Sequence, residues 1–173
     1  MIDFGSATTF LDNNYDHLPK LMEYRYTGNL LFQSMSVAMG YTNCRNDDME
    51  GIIYIFLYLI NDFQLPWTIY QTALTNREVT LNQIRMLRCR PEVVDQVIEL
   101  LPTIRLQAFY RRVMASDFEA EPEYGELLQC FNDFEKFSQQ QLENFRAKNS
   151  RLIEQLKKNA RGEPLRQQLV KIG

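Results

Sequence analysis

Cysteine and histidine are scarce in this chain of 173 residues, and their scarcity excludes several kinds of site. The three cysteines, Cys44, Cys89 and Cys130, are odd in number and far apart. This spacing argues against a disulfide framework and fits a reducing compartment. His17 is the single histidine, so a histidine-based zinc site and any catalytic arrangement of two imidazoles are nearly excluded.

The sequence also lacks a strong charge bias and a long apolar run. Its formal net charge is −3, so no strong field favours nucleic acid or an anionic membrane. The apolar run Gly51–Ile60 is shorter than the roughly 20 residues that cross a bilayer. Residues Met1–Gly5 lack the basic flank and apolar stretch of a signal peptide. We therefore expect an intracellular protein, cytoplasmic or nuclear, that binds neither nucleic acid nor membrane.

The composition fits a single folded domain, because 45% of the residues are hydrophobic. From Asp3 to Met39 turn-forming residues recur and periodicity is low, which predicts an extended and functional loop. Periodicity alone cannot decide whether the run Gly51–Ile60 is a buried helix or a buried strand. The acidic residues before it favour a helix, since they complement the positive end of its dipole. We predict a buried central helix.

The rest of the sequence predicts further helices and therefore a mainly α fold. Amphipathic spacing predicts helices over Ile69–Leu87, Pro91–Leu101, Ile104–Met114 and Glu121–Phe134. Residues 135–158 predict a polar helix with a thin apolar stripe within a tail of residues 135–173. This helix either packs on the domain or forms a short coiled-coil arm.

Asp3-Phe4-Gly5 offers a carboxylate ligand for magnesium beside a tightly turning glycine. Alone, this tripeptide is most often an ordinary turn. Its specificity comes from the motifs that follow in order. They are Asp12, His17-Leu18-Pro19, Thr27-Gly28, Ser34-Met35-Ser36, Arg45-Asn46-Asp47-Asp48-Met49-Glu50, Leu65-Pro66-Trp67 and Pro122-Glu123-Tyr124 with Leu127. Together they resemble the C-terminal lobe of casein-kinase-1-like protein kinases over residues 2 to about 134.

The resemblance implies a kinase C-lobe without an N-lobe, with an activation segment at residues 3–40 and a helical core at residues 41–134. Asp3 would hold magnesium, and Asp3, Phe4 and Gly5 would lie beside ATP. Asp48 would be the enclosed aspartate that opens the central helix. The substrate loop would include Thr27, Gly28 and Asn29. The complete form would phosphorylate Ser or Thr of proteins.

The sequence departs from the family in ways that leave its activity open. It has no glycine-rich phosphate loop, strand lysine motif or His-Arg-Asp, so we assign no catalytic residue to this chain. Asn29 replaces a threonine that contacts the catalytic groups, and Leu21 replaces an arginine that helps to bind acidic groups. Three alternatives follow: part of an active kinase, inactive by itself; a pseudokinase-type binding module; or an unrelated helical interaction protein.

Other residues have simpler interpretations. We interpret His17 as a surface residue, Trp67 as core and the cysteines as structural thiols. If the N-lobe is absent, Phe4 and the start of the Ile52–Ile60 helix would be exposed, which predicts self-association.

Overall fold

The computed structural model describes residues 7–23, 28–68, 77–88 and 90–162. Seven helices follow one another in these ranges: α1 (Met35–Ala38), α2 (Arg45–Ile60), α3 (Arg77–Arg88), α4 (Pro91–Glu99), α5 (Ile104–Ala115), α6 (Tyr124–Glu135) and α7 (Gln139–Gly162). Within the same ranges, β structure is limited to two isolated antiparallel bridges, Leu11 with His17 and Met22 with Tyr41. The predicted mainly α fold is confirmed.

Helix α2 is the predicted central helix, and both of its ends have a local cause. At its start, the backbone N–H of Cys44 donates to the Asp47 carboxylate at 2.7 Å. At its end, Asp62 and Phe63 have positive φ values of 52° and 62°. The Phe63 N–H donates to the Tyr58 carbonyl at 2.8 Å, which is the hydrogen bond of a left-handed helix stop.

The core lies along one face of α2. Ile53 and Leu57 are fully buried, and α2 packs against α1 and α5. The aromatic ring of Trp67 is also fully buried, as predicted, and stands edge-on to Tyr54 at 5.1 Å between centroids. The remaining core side chains come mainly from α3, α4 and α5, including Ile84, Leu87, Val97, Leu100, Leu106 and Phe109.

The helices after α2 were predicted correctly as helices, but the observed first or last residue of each differs from the predicted one. Pro91 begins α4 in the first turn, where its missing N–H costs nothing. Helix α6 begins at Tyr124 instead of Glu121. Residues 69–76 of the predicted Ile69–Leu87 helix lie outside the described residues, and the described part extends to Arg88. Residues 7–23 and 28–40 of the predicted activation-segment loop contain one short helix, α1.

The polar helix α7 packs on the domain, which decides between the two alternatives for the tail. Ile153 and Leu156 on its apolar stripe are buried. The fully buried Asn149 donates from Nδ2 to the Asn61 side chain at 2.8 Å and to the Leu100 carbonyl at 3.0 Å. These hydrogen bonds attach α7 to the end of α2. No helix in the described part of the chain is long and apolar enough to cross a membrane.

A buried polar cluster joins α2 to α3. Arg88 donates from Nη2 to Glu50 Oε1 at 2.9 Å, and the two side chains are 1% and 6% exposed. The Tyr54 O–H donates to the same carboxylate, so its oxygen accepts the 2.8 Å hydrogen bond from the Tyr110 hydroxyl. Burial raises the pKa of Glu50, while the Arg88 charge and the Tyr54 hydroxyl act in the opposite direction. The guanidinium also lies 4.5 Å from the Tyr54 ring centroid, so its desolvation is offset on two sides.

We predict that Arg88→Met destabilises the fold by about 3–5 kcal/mol, because it leaves the buried Glu50 carboxylate without its cation. The measurement is urea unfolding followed by circular dichroism. Arg105→Met is the matched control, since Arg105 and Asp133 form an exposed pair at 3.3 Å, and its cost should stay below about 1 kcal/mol. Equal losses in the two variants would contradict a structural role for the buried pair.

Candidate functional site

The segment Leu31–Ala38, here named the anchored segment, is fixed to the helical core through its backbone. Four of its backbone groups bond to core side chains. The bonds are Trp67 Nε1–H to the Leu31 carbonyl at 2.9 Å, Arg88 Nη1–H to the Gln33 carbonyl at 2.6 Å, the Met35 N–H to Glu50 Oε1 at 2.9 Å and Arg85 Nε–H to the Ala38 carbonyl at 2.6 Å. Since Trp67, Arg88 and Glu50 are buried, these bonds are shielded from water and hold the segment in one position.

The turn before the anchored segment is built by Gly28 and Asn29. Gly28 has a φ of 78°, which favours glycine because a Cβ is disfavoured there. The Asn29 side-chain oxygen accepts from the Leu31 N–H at 2.9 Å. The Asn29 carbonyl also accepts from the Phe32 N–H at 3.1 Å. The polar side chain at this position therefore closes its own turn.

Residues 7–23 form a compact loop that contacts residues 40–42. The Leu18 N–H donates to the Phe10 carbonyl at 2.9 Å, and the Asp12 carboxylate accepts from the N–H groups of Asn14 and Asp16 at 2.7 and 3.0 Å. Further along, the Thr42 N–H donates to the Leu21 carbonyl at 2.8 Å. This part of the predicted loop is therefore held by local turns and a short antiparallel contact.

An open cavity of about 590 Å³ lies on this loop. His17 is half-buried at its edge, and its Nδ1 donates to the Leu18 carbonyl at 2.7 Å. The His17 ring meets Phe118 edge-on at 5.1 Å between centroids. The Lys20 ammonium lies 4.5 Å from the Tyr41 ring centroid. The Arg45 guanidinium lies 4.5 Å from the Phe10 ring centroid, so the cavity is bounded by aromatic rings with two cations beside them.

Asp48 lies in the first turn of α2, as predicted, but its side chain is exposed. Its enclosure by a catalytic loop therefore stays a prediction, because that loop is not among the described residues. Partial desolvation and the neighbouring Asp47 carboxylate raise the pKa of Asp48. The enclosed acids are Asp47 and Glu50, because the turns of α2 direct these two toward the backbone of Cys44 and toward Arg88.

Four predicted site residues lie outside the described part of the chain: Asp3, Phe4, Gly5 and Thr27. In the ranges that the structure describes, no group of three or more His, Cys, Asp or Glu side chains could hold a metal ion. The magnesium role of Asp3 and the nucleotide-binding role of Asp3-Phe4-Gly5 therefore stay predictions.

Sequence reasoning did not identify the residues that bond to the anchored segment. For Glu50, the one available signal was its place in the motif Arg45–Glu50. Arg88 is 38 positions away from Glu50 on an ordinary amphipathic helix, and no local pattern identifies it as a partner. Lys20 and Phe118 come together only through the fold.

The two cysteines in the described part of the chain are structural thiols, as predicted. Cys44 and Cys130 are buried and unpaired. Burial, with a contribution from the Asp47 carboxylate, raises the pKa of Cys44 to about 11. Burial likewise raises the pKa of Cys130. Cys89 lies outside the described residues.

We predict that iodoacetamide alkylates Cys44 at pH 8 about 100-fold more slowly in the native protein than in urea, because the thiolate is the reactive form. Mass spectrometry of the Cys44 peptide over time measures this rate. Cys130 in the same sample is an internal comparison with a pKa that is also raised. Native labelling of Cys44 at the urea rate would contradict its burial.

The curated proteins with distant similarity to the chain include two casein kinase I homologs. It is 22% identical over 134 residues, 77% of its length, to casein kinase I homolog 3 of Saccharomyces cerevisiae, of which it covers 25%. It is 21% identical over 124 residues, 72% of its length, to a probable casein kinase I homolog of Encephalitozoon cuniculi, of which it covers 38%. The chain thus spans well under half the length of these relatives. No protein-family model matches it.

Proposed function

We propose that this chain is the C-terminal part of a casein-kinase-1-like serine/threonine protein kinase. The complete intracellular enzyme transfers phosphate from ATP, with magnesium, to Ser or Thr of protein substrates. The 173 residues by themselves are inactive, since they contain none of the motifs that cover the phosphates or supply the catalytic base. The ordered motifs, the helical fold and the distant similarity to casein kinase I homologs support this proposal.

The observation that carries the proposal is the anchored segment. It contains the Ser34-Met35-Ser36 motif and begins two residues after Asn29, next to the predicted substrate loop. Glu50 and Trp67, which hold it at Met35 and Leu31, belong to two other motifs of the same resemblance. Phosphoryl transfer depends largely on positioning, and a substrate loop needs a rigid base. Three motifs that are distant in sequence thus meet at one structural element.

The proposal assigns roles to residues of this chain. Asp3 would supply a hard oxygen ligand for magnesium, with Phe4 and Gly5 beside the nucleotide. Magnesium would neutralise charge on the phosphates when it is bound. Thr27, Gly28 and Asn29 would face the protein substrate, and Asp48 would accept hydrogen bonds from the catalytic loop. The exposed and partly desolvated Asp48 carboxyl is compatible with a partner that lies outside residues 7–162.

We predict that the longest natural transcript phosphorylates a Ser/Thr protein substrate and that Asp3→Asn lowers kcat at least about 100-fold, because it removes a metal-bound charge. The measurement is transfer of labelled phosphate from ATP at saturating magnesium. Asp16→Asn is the matched control on the same loop and should keep the wild-type rate. Equal activity of Asp3→Asn and wild type would remove Asp3 from the mechanism.

A second candidate function is a pseudokinase-type binding module. Asn29 favours it, because its side-chain oxygen is used by the Leu31 N–H and is not free to face catalytic groups. Leu21, which stands where the family has an arginine, is 49% exposed and leaves the loop without that cation. Both features weaken phosphoryl transfer or the binding of an acidic substrate, and they leave the helical lobe unchanged.

We predict that Asn29→Thr discriminates between the two functions when it is made in the longest natural transcript. If the protein is a kinase, restoring the family hydroxyl raises kcat by several-fold or more. If it is a binding module, both forms are inactive, and Mg·ATP leaves the melting temperature of both unchanged. A melting shift with Mg·ATP in the wild-type protein would exclude the binding-module alternative.

A further inference from the structure

The indole N–H of Trp67 reaches the chain just after the predicted substrate loop. Its Nε1 donates to the Leu31 carbonyl at 2.9 Å, and Trp67 is 0% exposed. An indole can only donate, so the carbonyl is always the acceptor in this bond. The bond joins two positions that are 36 residues apart. It is shielded from water, where a hydrogen bond is stronger than at the surface.

The indole ring is itself held in a fixed orientation. The Tyr54 ring meets it edge-on at 5.1 Å between centroids, and the Arg88 guanidinium lies 4.8 Å from its centroid. Both neighbours are buried and belong to the polar cluster around Glu50. The core therefore aims the Trp67 N–H, and the loop that it contacts does not.

The backbone of Leu31 connects the indole to Asn29. The Leu31 N–H donates to Asn29 Oδ1 at 2.9 Å, while the Leu31 carbonyl accepts from Trp67. Because a backbone N–H only donates, the Asn29 atom that faces it must be the amide oxygen. The amide NH2 then lies on the other side of an exposed residue, where it can donate to an outside acceptor.

The anchored segment lies close against α2 at the next residue. A Cβ built on Gly51 would lie 3.1 Å from the Phe32 carbonyl oxygen, so the missing side chain of glycine permits this approach. Arg88 then donates to the Gln33 carbonyl at 2.6 Å. Three consecutive carbonyls thus meet the core, and the one nearest to the substrate loop is bonded to Trp67.

We propose that Trp67 is a positioning residue for the protein substrate. Through Leu31 it fixes the Asn29 amide, whose NH2 donates to an acceptor oxygen of the substrate. Trp67 is buried, so its effect is transmitted through the backbone of the turn. Transfer reactions are sensitive to a misplacement of about 1 Å. This inference rests on the proposed kinase function and adds the group that sets the position of its substrate loop.

Hydrogen exchange of the chain tests the link between Trp67 and Asn29 without any need for kinase activity. Trp67 is the single tryptophan, and benzothienylalanine at this position keeps the ring size while removing only the N–H. We expect the Leu31 amide to exchange at least about tenfold faster, because the Leu31 carbonyl loses its buried donor and the turn loosens. An unchanged rate overturns the proposal.

Ile153→Val is the control for a general loss of stability, since Ile153 is 1% exposed on α7. The described hydrogen bonds of that helix to other elements go to residues 60–64 and 100. The Leu31 exchange rate should therefore stay unchanged in this variant. An equal acceleration in both variants overturns the proposal, because it assigns the effect to stability alone.

Steady-state kinetics of the longest natural transcript test the substrate role. The benzothienylalanine variant should raise KM for a Ser/Thr protein substrate at least about fivefold and leave KM for ATP unchanged, because it alters only the substrate position. Asn29→Ala should raise the same KM, and combining the two changes should add nothing further, since Trp67 acts through Asn29. Equal rises in both KM values, or additive effects, overturn the proposal.

The two experiments separate this inference from the proposed function. If no form of the transcript phosphorylates protein, the kinase function fails, and the substrate role of Trp67 fails with it. If the transcript is active but KM for the protein substrate does not respond, the kinase function stands and this inference is wrong.

Discussion

The buried contact between Glu50 and Arg88 is the constraint on which the rest of this structure depends. One carboxylate oxygen accepts from the guanidinium, the Tyr54 hydroxyl and the Met35 N–H, and the guanidinium also donates to the Gln33 carbonyl. Two buried charges without these bonds would cost several kcal/mol each. Because their partners include backbone groups of the anchored segment, the cluster ties that segment to α2 and α3. An apolar pair of similar size could fill the space but could not hold that backbone.

The two faces of α2 have different physical roles. One face packs Ile53 and Leu57 into the core and supplies the apolar burial that stabilises the domain. The other face carries Ile52, Ile55 and Leu59, which are 38%, 43% and 54% exposed and therefore contribute less to the stability of the chain. Both proposed functions need the first face, because it holds the helical lobe together.

Much of the architecture could be predicted from the sequence, while the site could be predicted only in part. Acidic residues before the apolar run predicted α2, and Pro91 predicted the start of α4, because capping and dipole effects act over a single turn. Asp48 was placed correctly in the first helical turn, where its side chain is exposed, and its enclosure by a catalytic loop stays a prediction. The spacing of a helix fixes which residues share a face, but burial depends on what packs there.

The sequence by itself determined the helical class, the order of the helices and the motifs that resemble a kinase lobe, because propensity, capping and periodicity are local properties. Only the tertiary structure decided that Arg88 meets Glu50, that Asn149 attaches α7 to the domain, and that Ile55 stays exposed. These outcomes depend on contacts between residues that are far apart in the chain. Such contacts follow from how whole helices pack, and no short window of sequence contains that information.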